Sequence, residues 1–578
     1  MTISDEKFQE LVQCLGRWAL AYLLSCNVED IDVQGEIMKN TSPKQDETLL
    51  ALCALFMSRK RTTPKELPRI FESDISHLIH GGISTGNALR AASGGKLHKI
   101  PQNIEEGEQY LFKITESVYP ALLVDYAQQS EYDNTSRYWS YDMYGNPVNR
   151  EFCNWLRVND EAFRLFSADG QNPALHLIHS SGFAGSCQLY GLTERIIDTA
   201  WITVLGGERA EDPPTFTDLF SEVKKVFDEV RDGLSTGEYS SVALVGLSGV
   251  LLPDGVQAFD VADMKVRRWM RSDARFSSVL DDRYYCGSSV AGSKEHRFHY
   301  RGDIVIEIPI TLKITVPQTT KGNSSEERST ELHSLSNEIR DAINYKVHLI
   351  QLALLLSQQS NSPSGRWVWQ TIIDPLSNGS SIAFEPKSPY INIQGTLALT
   401  TDDLENWKNW SELILQHEES LRNCFIGVRH LLSAVNEREN PDDRLLDAVV
   451  AWENLVGVDH QTTFRVTAAL ACLQSDKPQV YQEQQKQFSK IYNVRSRVIH
   501  GSGTAQRFEA AFSKTYGQSA SEAAVTTAVK AYQATLTSHL EILDIPDSEK
   551  RNEHVLEGKL IEFTHNECSH KYDWADRK

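Results

Sequence analysis

Near the end of the chain, the segment Lys490-Ile-Tyr-Asn-Val-Arg495-Ser-Arg-Val-Ile-His500-Gly-Ser-Gly503 sets one arginine and one histidine four residues apart. A guanidinium stays charged at physiological pH and offers paired donors to phosphate oxygens. An imidazole titrates near neutrality and moves a proton. Together they make a minimal kit for phosphodiester chemistry. The spacing alone is weak evidence, because Arg328-Ser-Thr-Glu-Leu-His333 repeats it with nothing else in support. That second copy is expected to be incidental, at the start of a helix.

What separates the two copies is the set of elements around them. Pro478 opens a helical pattern with apolar positions at Val480, Phe488, Ile491 and Val498, and Gly501 and Gly503 end it behind the histidine. An earlier helix is well punctuated: Asn440 caps it, Pro441 fits its first position, Asp442 and Asp443 suit its positive end, and Gly457 closes it. Leu445, Ala448, Val449, Trp452 and Val456 form its core face. Glu453 sits one position round, beside apolar surface, where a carboxylate needs a cationic partner.

Helical faces also run from Leu404 to Val435, with a break expected near Glu418–Ser420, and over Thr463–Leu473. Ser519-Ala-Ser-Glu522 is a capping box opening a last helix with Val525, Val529, Tyr532, Leu536, Leu540 and Leu543 on its stripe. Residues 404–545 thus predict an antiparallel bundle of four or five helices, followed by a polar tail over 546–578.

The rest of the chain predicts a multidomain α+β protein. Residues 1–235 read as mainly helical, a possible sensor, and 236–400 as a mixed region with strands and one long helix through Leu332–Leu354. Ile304, Ile306, Ile308, Ile310, Leu312, Ile314 and Val316 alternate as one long strand, which Pro309 directs to an edge or a bulge. Strands are also expected at Val242–Leu252, Trp367–Ile373, Ser381–Phe384 and Tyr390–Leu399. Gly94-Gly-Lys96 fails as a phosphate-binding loop because Leu97 takes the Ser/Thr position. Ser180-Ser-Gly182-Phe-Ala-Gly185-Ser-Cys187 lacks the spacing of a nucleophile elbow and reads as a loop. Lys265-Val-Arg267-Arg268-Trp269-Met-Arg271 mixes cations and aromatics as a single-strand-binding surface does, but snorkelling arginines explain it more simply.

The 578 residues carry a formal charge of −20, so any polyanion site must be a local basic island in an acidic field. This argues against indiscriminate nucleic-acid binding. Nine cysteines without a CxxC pair read as reduced thiols in a cytoplasm. The start Met1-Thr-Ile-Ser-Asp-Glu lacks the positive signature of a signal peptide, and no apolar window is long enough to span a bilayer. A cytoplasmic protein with no membrane contact, cofactor or metal site is expected.

Three runs in register resemble the HEPN superfamily, and within it the Apea-like HEPN group: Arg444-Leu-Leu-Asp-Ala-Val-Val-Ala-Trp-Glu453-Asn-Leu, then Thr463-Phe-Arg465-Val-Thr-Ala-Ala-Leu-Ala, then Ile491-Tyr-Asn-Val-Arg495-Ser-Arg-Val-Ile-His500-Gly501. The resemblance covers roughly residues 404–545. Trp452 departs from the small or apolar residue usual there, and Ser496 after the arginine is the subgroup's choice.

The resemblance implies a metal-independent ribonuclease in which two copies face one cleft, so a homodimer or higher homo-oligomer is expected. Arg495 and His500 would be catalytic, the first neutralising phosphorane charge and the second shuttling a proton. Lys486, Lys490 and Arg497 would hold flanking RNA, and Glu453 would pair with Arg495. Five residues at 100° each set Arg495 and His500 about 140° apart on an ideal helix, so they meet only through fraying at Gly501 or a second chain. Ser496 and His500 are i, i+4 neighbours, and Ser496 is expected to orient the imidazole. Large proteins of this group resemble antiphage, abortive-infection effectors, implying a phage-derived trigger. A non-catalytic dimerisation or ligand-binding scaffold, or a toxin held by a nucleotidyltransferase antitoxin, remain alternatives.

Overall fold

The computed structural model describes residues 4–558, apart from 32–40, 59–66, 80–81, 125–145, 167–177, 181–184, 188, 206–213, 270–272, 274–302, 316–324, 359–364, 377–396, 476 and 502–504. The fold is mixed α+β, mostly helical with an antiparallel sheet. In the first third, apolar stripes at helical spacing give α1 (Asp5–Leu24), α2 (Pro43–Ser58), α3 (Leu67–Ser76), α4 (Thr85–Ala92), α5 (Glu106–Leu122), α6 (Pro147–Asn159), α7 (Leu189–Leu205) and α8 (Phe216–Thr236). Thr215 and Asp218 form a capping box that starts α8, and left-handed Gly237 (φ 82°) stops it. Two short strands, β1 (Leu78–Ile79) and β2 (Ile83–Ser84), pair as a hairpin before α4.

The sheet is built from β3 (Ile178–Ser180), β4 (Gly185–Cys187), β5 (Glu238–Ser248), β7 (Ala258–Val261), β8 (Met264–Arg268), β9 (Ile304–Thr315) and β10 (Arg366–Ile373). Its main path is β10-β5-β9-β3-β4, with β7 on β8 and β8 on β9. The segment expected as a loop at Ser180–Cys187 is instead flanked by β3 and β4. They pair with each other, and β3 joins β9 through His179 opposite Thr315. The division expected at residue 235 therefore cuts through a sheet. Two further short strands, β6 (Val250–Leu251) and β11 (Leu397–Ala398), pair in parallel. Ser381–Phe384 and most of Tyr390–Leu399, expected as strands, lie outside the described residues.

Pro309 lies neither on an edge strand nor at a bulge. Strand β9 runs alongside β5 from Ile304 to Lys313. The Ile314 N–H donates to Gly237 on the β5 side, and alternate residues point the same way. The proline nitrogen therefore faces the other side, where β8 stops at Glu307 and β3 begins at Ile314. It falls in a gap of the ladder, where no N–H is needed. The basic Lys265–Arg271 run is structural where described. Arg267 is buried between Asp273 (2.6 Å) and Glu307 (2.5 Å), and Arg268 donates to the carbonyls of Leu252, Pro253 and Val256.

Helix α9 (Ser325–Ser357) contains both Arg328 and His333 in its first three turns, as expected for an incidental copy. Its stretch from Leu349 to Leu356 is not amphipathic. Leu349, Ile350 and Leu352–Leu356 are all buried, and the one polar interruption, Gln351, donates to the Gly365 carbonyl at 2.7 Å. Such a helix must be covered all round.

The cover is the C-terminal set of helices: α10 (Thr401–Gln416), α11 (Phe425–Asn436), α12 (Pro441–Val456), α13 (Thr462–Gln474), α14 (Pro478–Ile499), α15 (Ala505–Tyr516) and α16 (Ala520–Ser538). Trp407 of α10 donates its indole N–H to the Ile350 carbonyl at 3.1 Å, and Gln533 of α16 reaches Leu356 at 2.7 Å. The chain breaks at His417, between α10 and the turn Glu418–Leu421. The Asn440 cap and the Ser519–Glu522 capping box form as expected. One apolar core runs from Phe8 to Val555. The boundaries at 235 and 404 thus mark changes of secondary structure rather than breaks in packing. The polar tail expected from 546 begins as a helix over 548–558, with Arg551 and Asn552 fully buried. Among the described residues, no helix is long and apolar enough to cross a membrane.

Two outcomes follow from this packing. Trp407→Ala should cost about 3–5 kcal/mol, the range for deleting a buried aromatic, read as a lower urea midpoint at unchanged slope. Burial lifts the phenols of Tyr22, Tyr119, Tyr345 and Tyr532 above their ordinary value, and that of Tyr481 to about 12. Their unfolded counterparts lose protons first, near pH about 10. Stability should hold below that pH and fall as pH rises towards the folded values, as urea unfolding between pH 8 and 11 would show.

Candidate functional site

The site is built where α12 meets α14. Helix α14 buries Phe488, Ile491, Tyr492 and Val494, and Phe488 lies 5.9 Å from Trp452 of α12, centroid to centroid. This packing turns Tyr492 and Arg495, one turn apart, towards Glu453. The two Glu453 carboxylate oxygens are divided between them. Oε1 accepts the Tyr492 hydroxyl, and Oε2 accepts Arg495 Nη2 at 3.2 Å. The pairing of Glu453 with Arg495 matches the expectation.

Tyr492 was not among the expected site residues. The signal was present in its i, i+3 spacing from Arg495, but only packing shows that both face one carboxylate. Burial, and then the hydrogen-bonded Glu453, hold its phenol well above the ordinary tyrosine value. It stays a donor. The guanidinium carbon of Arg495 lies 5.5 Å from the Tyr492 ring centroid, within cation–π range.

The contact from Arg495 is single-pronged, and the side chain keeps 23% exposure against 27% for Glu453. Its Nε is buried and has no hydrogen-bond partner among the described residues. The guanidinium is thus oriented by one oxygen while other donors remain unused. Nε is sealed off, so an anion such as a phosphate diester meets only the part of the guanidinium left exposed.

Helix α14 keeps its geometry to Ile499. The His500 N–H donates to the Ser496 carbonyl at 3.2 Å, the Gly501 N–H donates to Val498 at 3.1 Å, and Gly501 turns left-handed at φ 60°. No fraying brings His500 round to Arg495. The angular separation of about 140° persists, and the imidazole is exposed at the helix end beside Ile499, itself 49% exposed. Ser496 also departs from expectation. It meets His500 through its backbone carbonyl, and among the described residues its hydroxyl makes no hydrogen bond to the ring.

Lys486, Lys490 and Arg497 are all exposed. At 100° per residue they fall with His500 in a stripe about 80° wide, on the far side of α14 from Arg495. Two are steadied by α15: Lys490 Nζ lies 5.0 Å from the Tyr516 ring centroid, and the Arg497 guanidinium 4.8 Å from that of Phe508. Residues 478–500 contain one acid, Glu483, against Lys486, Lys490, Arg495 and Arg497. Of these, Lys486, Lys490 and Arg497 form an exposed basic stripe, while Arg495 is paired with Glu453 on the other face. The structure therefore joins Arg495 to Glu453 and Tyr492, groups His500 with the flanking cations, and keeps the two sets on different faces.

Removing Glu453 strands the Arg495 guanidinium and the Tyr492 hydroxyl together. Glu453→Ala should lower stability by about 1–3 kcal/mol and Tyr492→Phe by about 0.5–1.5 kcal/mol, both read by urea unfolding. The double variant should cost less than the sum, because both changes remove one hydrogen bond; strict additivity would mean that Tyr492 does not hold the carboxylate. No family model, curated protein or solved structure matches the chain.

Proposed function

We propose that the chain is a metal-independent endoribonuclease of the HEPN type, an effector of bacterial antiphage defence whose upstream regions gate it in response to a phage-derived trigger. One observation carries this reading. Arg495 is aimed by a single Glu453 oxygen and keeps 23% exposure, two residues from the exposed Arg497 and five each from the exposed Lys490 and His500.

The chemistry is in-line attack of an RNA 2′-OH on the adjacent phosphate. His500 takes the 2′-OH proton or gives one to the leaving 5′-oxygen, and Arg495 meets the charge that develops on the non-bridging oxygens. Since α14 holds the two on different faces, one active centre draws Arg495 from one chain and His500 from another. A homodimer is the smallest assembly that does this. Lys486, Lys490 and Arg497, in line with His500, grip the flanking RNA backbone of the same strand. The competing reading, a non-catalytic HEPN scaffold, draws on the engagement of Arg495 by Glu453 and Tyr492, which a structural pair would also make.

Purified protein should cleave RNA but not DNA, leave 2′,3′-cyclic phosphate or 3′-phosphate ends, and remain active in excess EDTA. His500→Ala should lose about 10²–10⁴-fold in rate, the usual worth of a positioned proton shuttle. Arg495→Lys should fail as well, since an ammonium cannot make the two-pronged contact. Specific activity should fall on dilution below the dimer dissociation constant. Equal cleavage of DNA, or wild-type activity in His500→Ala, would return the protein to the scaffold class. Mixing inactive His500→Ala with inactive Arg495→Ala should restore part of the activity if the centre is shared between chains.

A further inference from the structure

Helix α12 has no C-cap of its own. Its last four carbonyls, from Glu453 to Val456, need donors from elsewhere. Gly457 is extended (φ −73°, ψ 155°) rather than left-handed, so the common glycine cap is not made. The position still requires glycine, because a Cβ there would lie 2.1 Å from the Glu453 carbonyl oxygen. Donors for three of the four arrive from the helix over 548–558. Arg551 Nε donates to Leu455 at 2.7 Å and Nη2 to Asn454 at 2.6 Å, while Nη1 reaches Ile545. Asn552 Nδ2 donates to Val456 at 2.8 Å and to Arg465 of α13 at 3.1 Å.

Arg551 is 1% exposed, yet all its hydrogen bonds among the described residues go to backbone carbonyls. The negative end of α12 is what offsets this buried charge. On the outside, Arg465 fastens the same helix through Glu549 at 3.1 Å and Glu553 at 3.5 Å. The carbonyls held by Arg551 belong to the two residues directly after Glu453. Asn454 is gripped twice, since its side-chain oxygen also accepts the Gly427 N–H at 2.8 Å.

We propose that Arg551 is a positioning residue for the candidate site, clamping the last turn of α12 so that Glu453 holds Tyr492 and Arg495 in one geometry. The inference rests on the ribonuclease reading for its effect on activity, but the clamp itself has a readout of its own. Without it the last turn of α12 loses two of these three donors, Glu453 moves, and the Arg495 guanidinium loses its aim. The residue touches no substrate and acts only through the carboxylate.

Full-length Arg551→Met and Arg551→Lys are compared with wild type by RNA-cleavage kinetics and by amide hydrogen exchange. Methionine removes the donors with little change in volume; lysine keeps the charge but not the fork. Both variants should lose about tenfold to a hundredfold in kcat, as misaligned groups do, with KM little changed. Exchange should quicken in residues 488–496 of α14 as well as in 450–458. Arg551→Met combined with Glu453→Gln should be no slower than Glu453→Gln alone. A lower unfolding midpoint with unchanged kcat and unchanged exchange over 488–496 would overturn the proposal, leaving Arg551 only a stability role. Additive losses in the double variant would overturn it as well. If wild type cleaves no RNA, the ribonuclease reading fails separately, and exchange over 488–496 alone decides the clamp. Should Arg551→Met fail to fold, Arg551→Lys and Asn552→Ala carry the same readouts.

Discussion

The apolar stretch Leu349–Leu356 of α9 is the constraint on which the other elements depend. Leu349, Ile350 and Leu352–Leu356 leave no polar face, so no single layer can satisfy this helix. The C-terminal helices close over it through Trp407 and Gln533, and both donate to carbonyls of α9 itself. Water is thereby excluded from its last turns without stranding a polar group. Because the same core continues to the sheet and to the N-terminal helices, the candidate site does not stand on a free module.

In the proposed ribonuclease, two demands on α14 conflict. Arg495 must be oriented, which requires a partner and partial burial; His500 must reach substrate, which requires exposure. A regular helix satisfies both only by placing them on different faces. Glu453 and Tyr492 meet the first demand, and the helix end at Gly501 meets the second. In the proposed mechanism a second chain reunites the two halves, and activity is tied to assembly. The short Arg-x4-His spacing then works as a means of keeping each chain inert alone.

Local signals were legible wherever chemistry and spacing lie close in sequence. Asn440-Pro441-Asp442-Asp443 specified the start of α12, and Ser519 with Glu522 that of α16, because a cap is made within one turn. The alternation Ile304–Val316 specified β9, since a half-buried strand has period two. That Glu453 needs a cation was also inferable, as a carboxylate beside an apolar stripe does, but the choice of Arg495 followed from the family resemblance. Pro309 was misplaced for a clear reason. Its tolerance depends on which neighbours flank β9, and β8 and β3 come from distant stretches of chain.

What the sequence determined by itself is therefore most of the larger helices and strands, their caps, and the residue types present at the candidate site. These are set by interactions spanning fewer than about ten residues. Tertiary structure decided which of those residues meet. It drew Tyr492 onto Glu453 across 39 positions and Arg551 onto the end of α12 across 96. It also left the Ser496 hydroxyl without the His500 ring that its spacing offered. Such contacts depend on the rotation and depth at which helices pack. Those are fixed by the whole buried surface at once, and no local pattern of residues carries them.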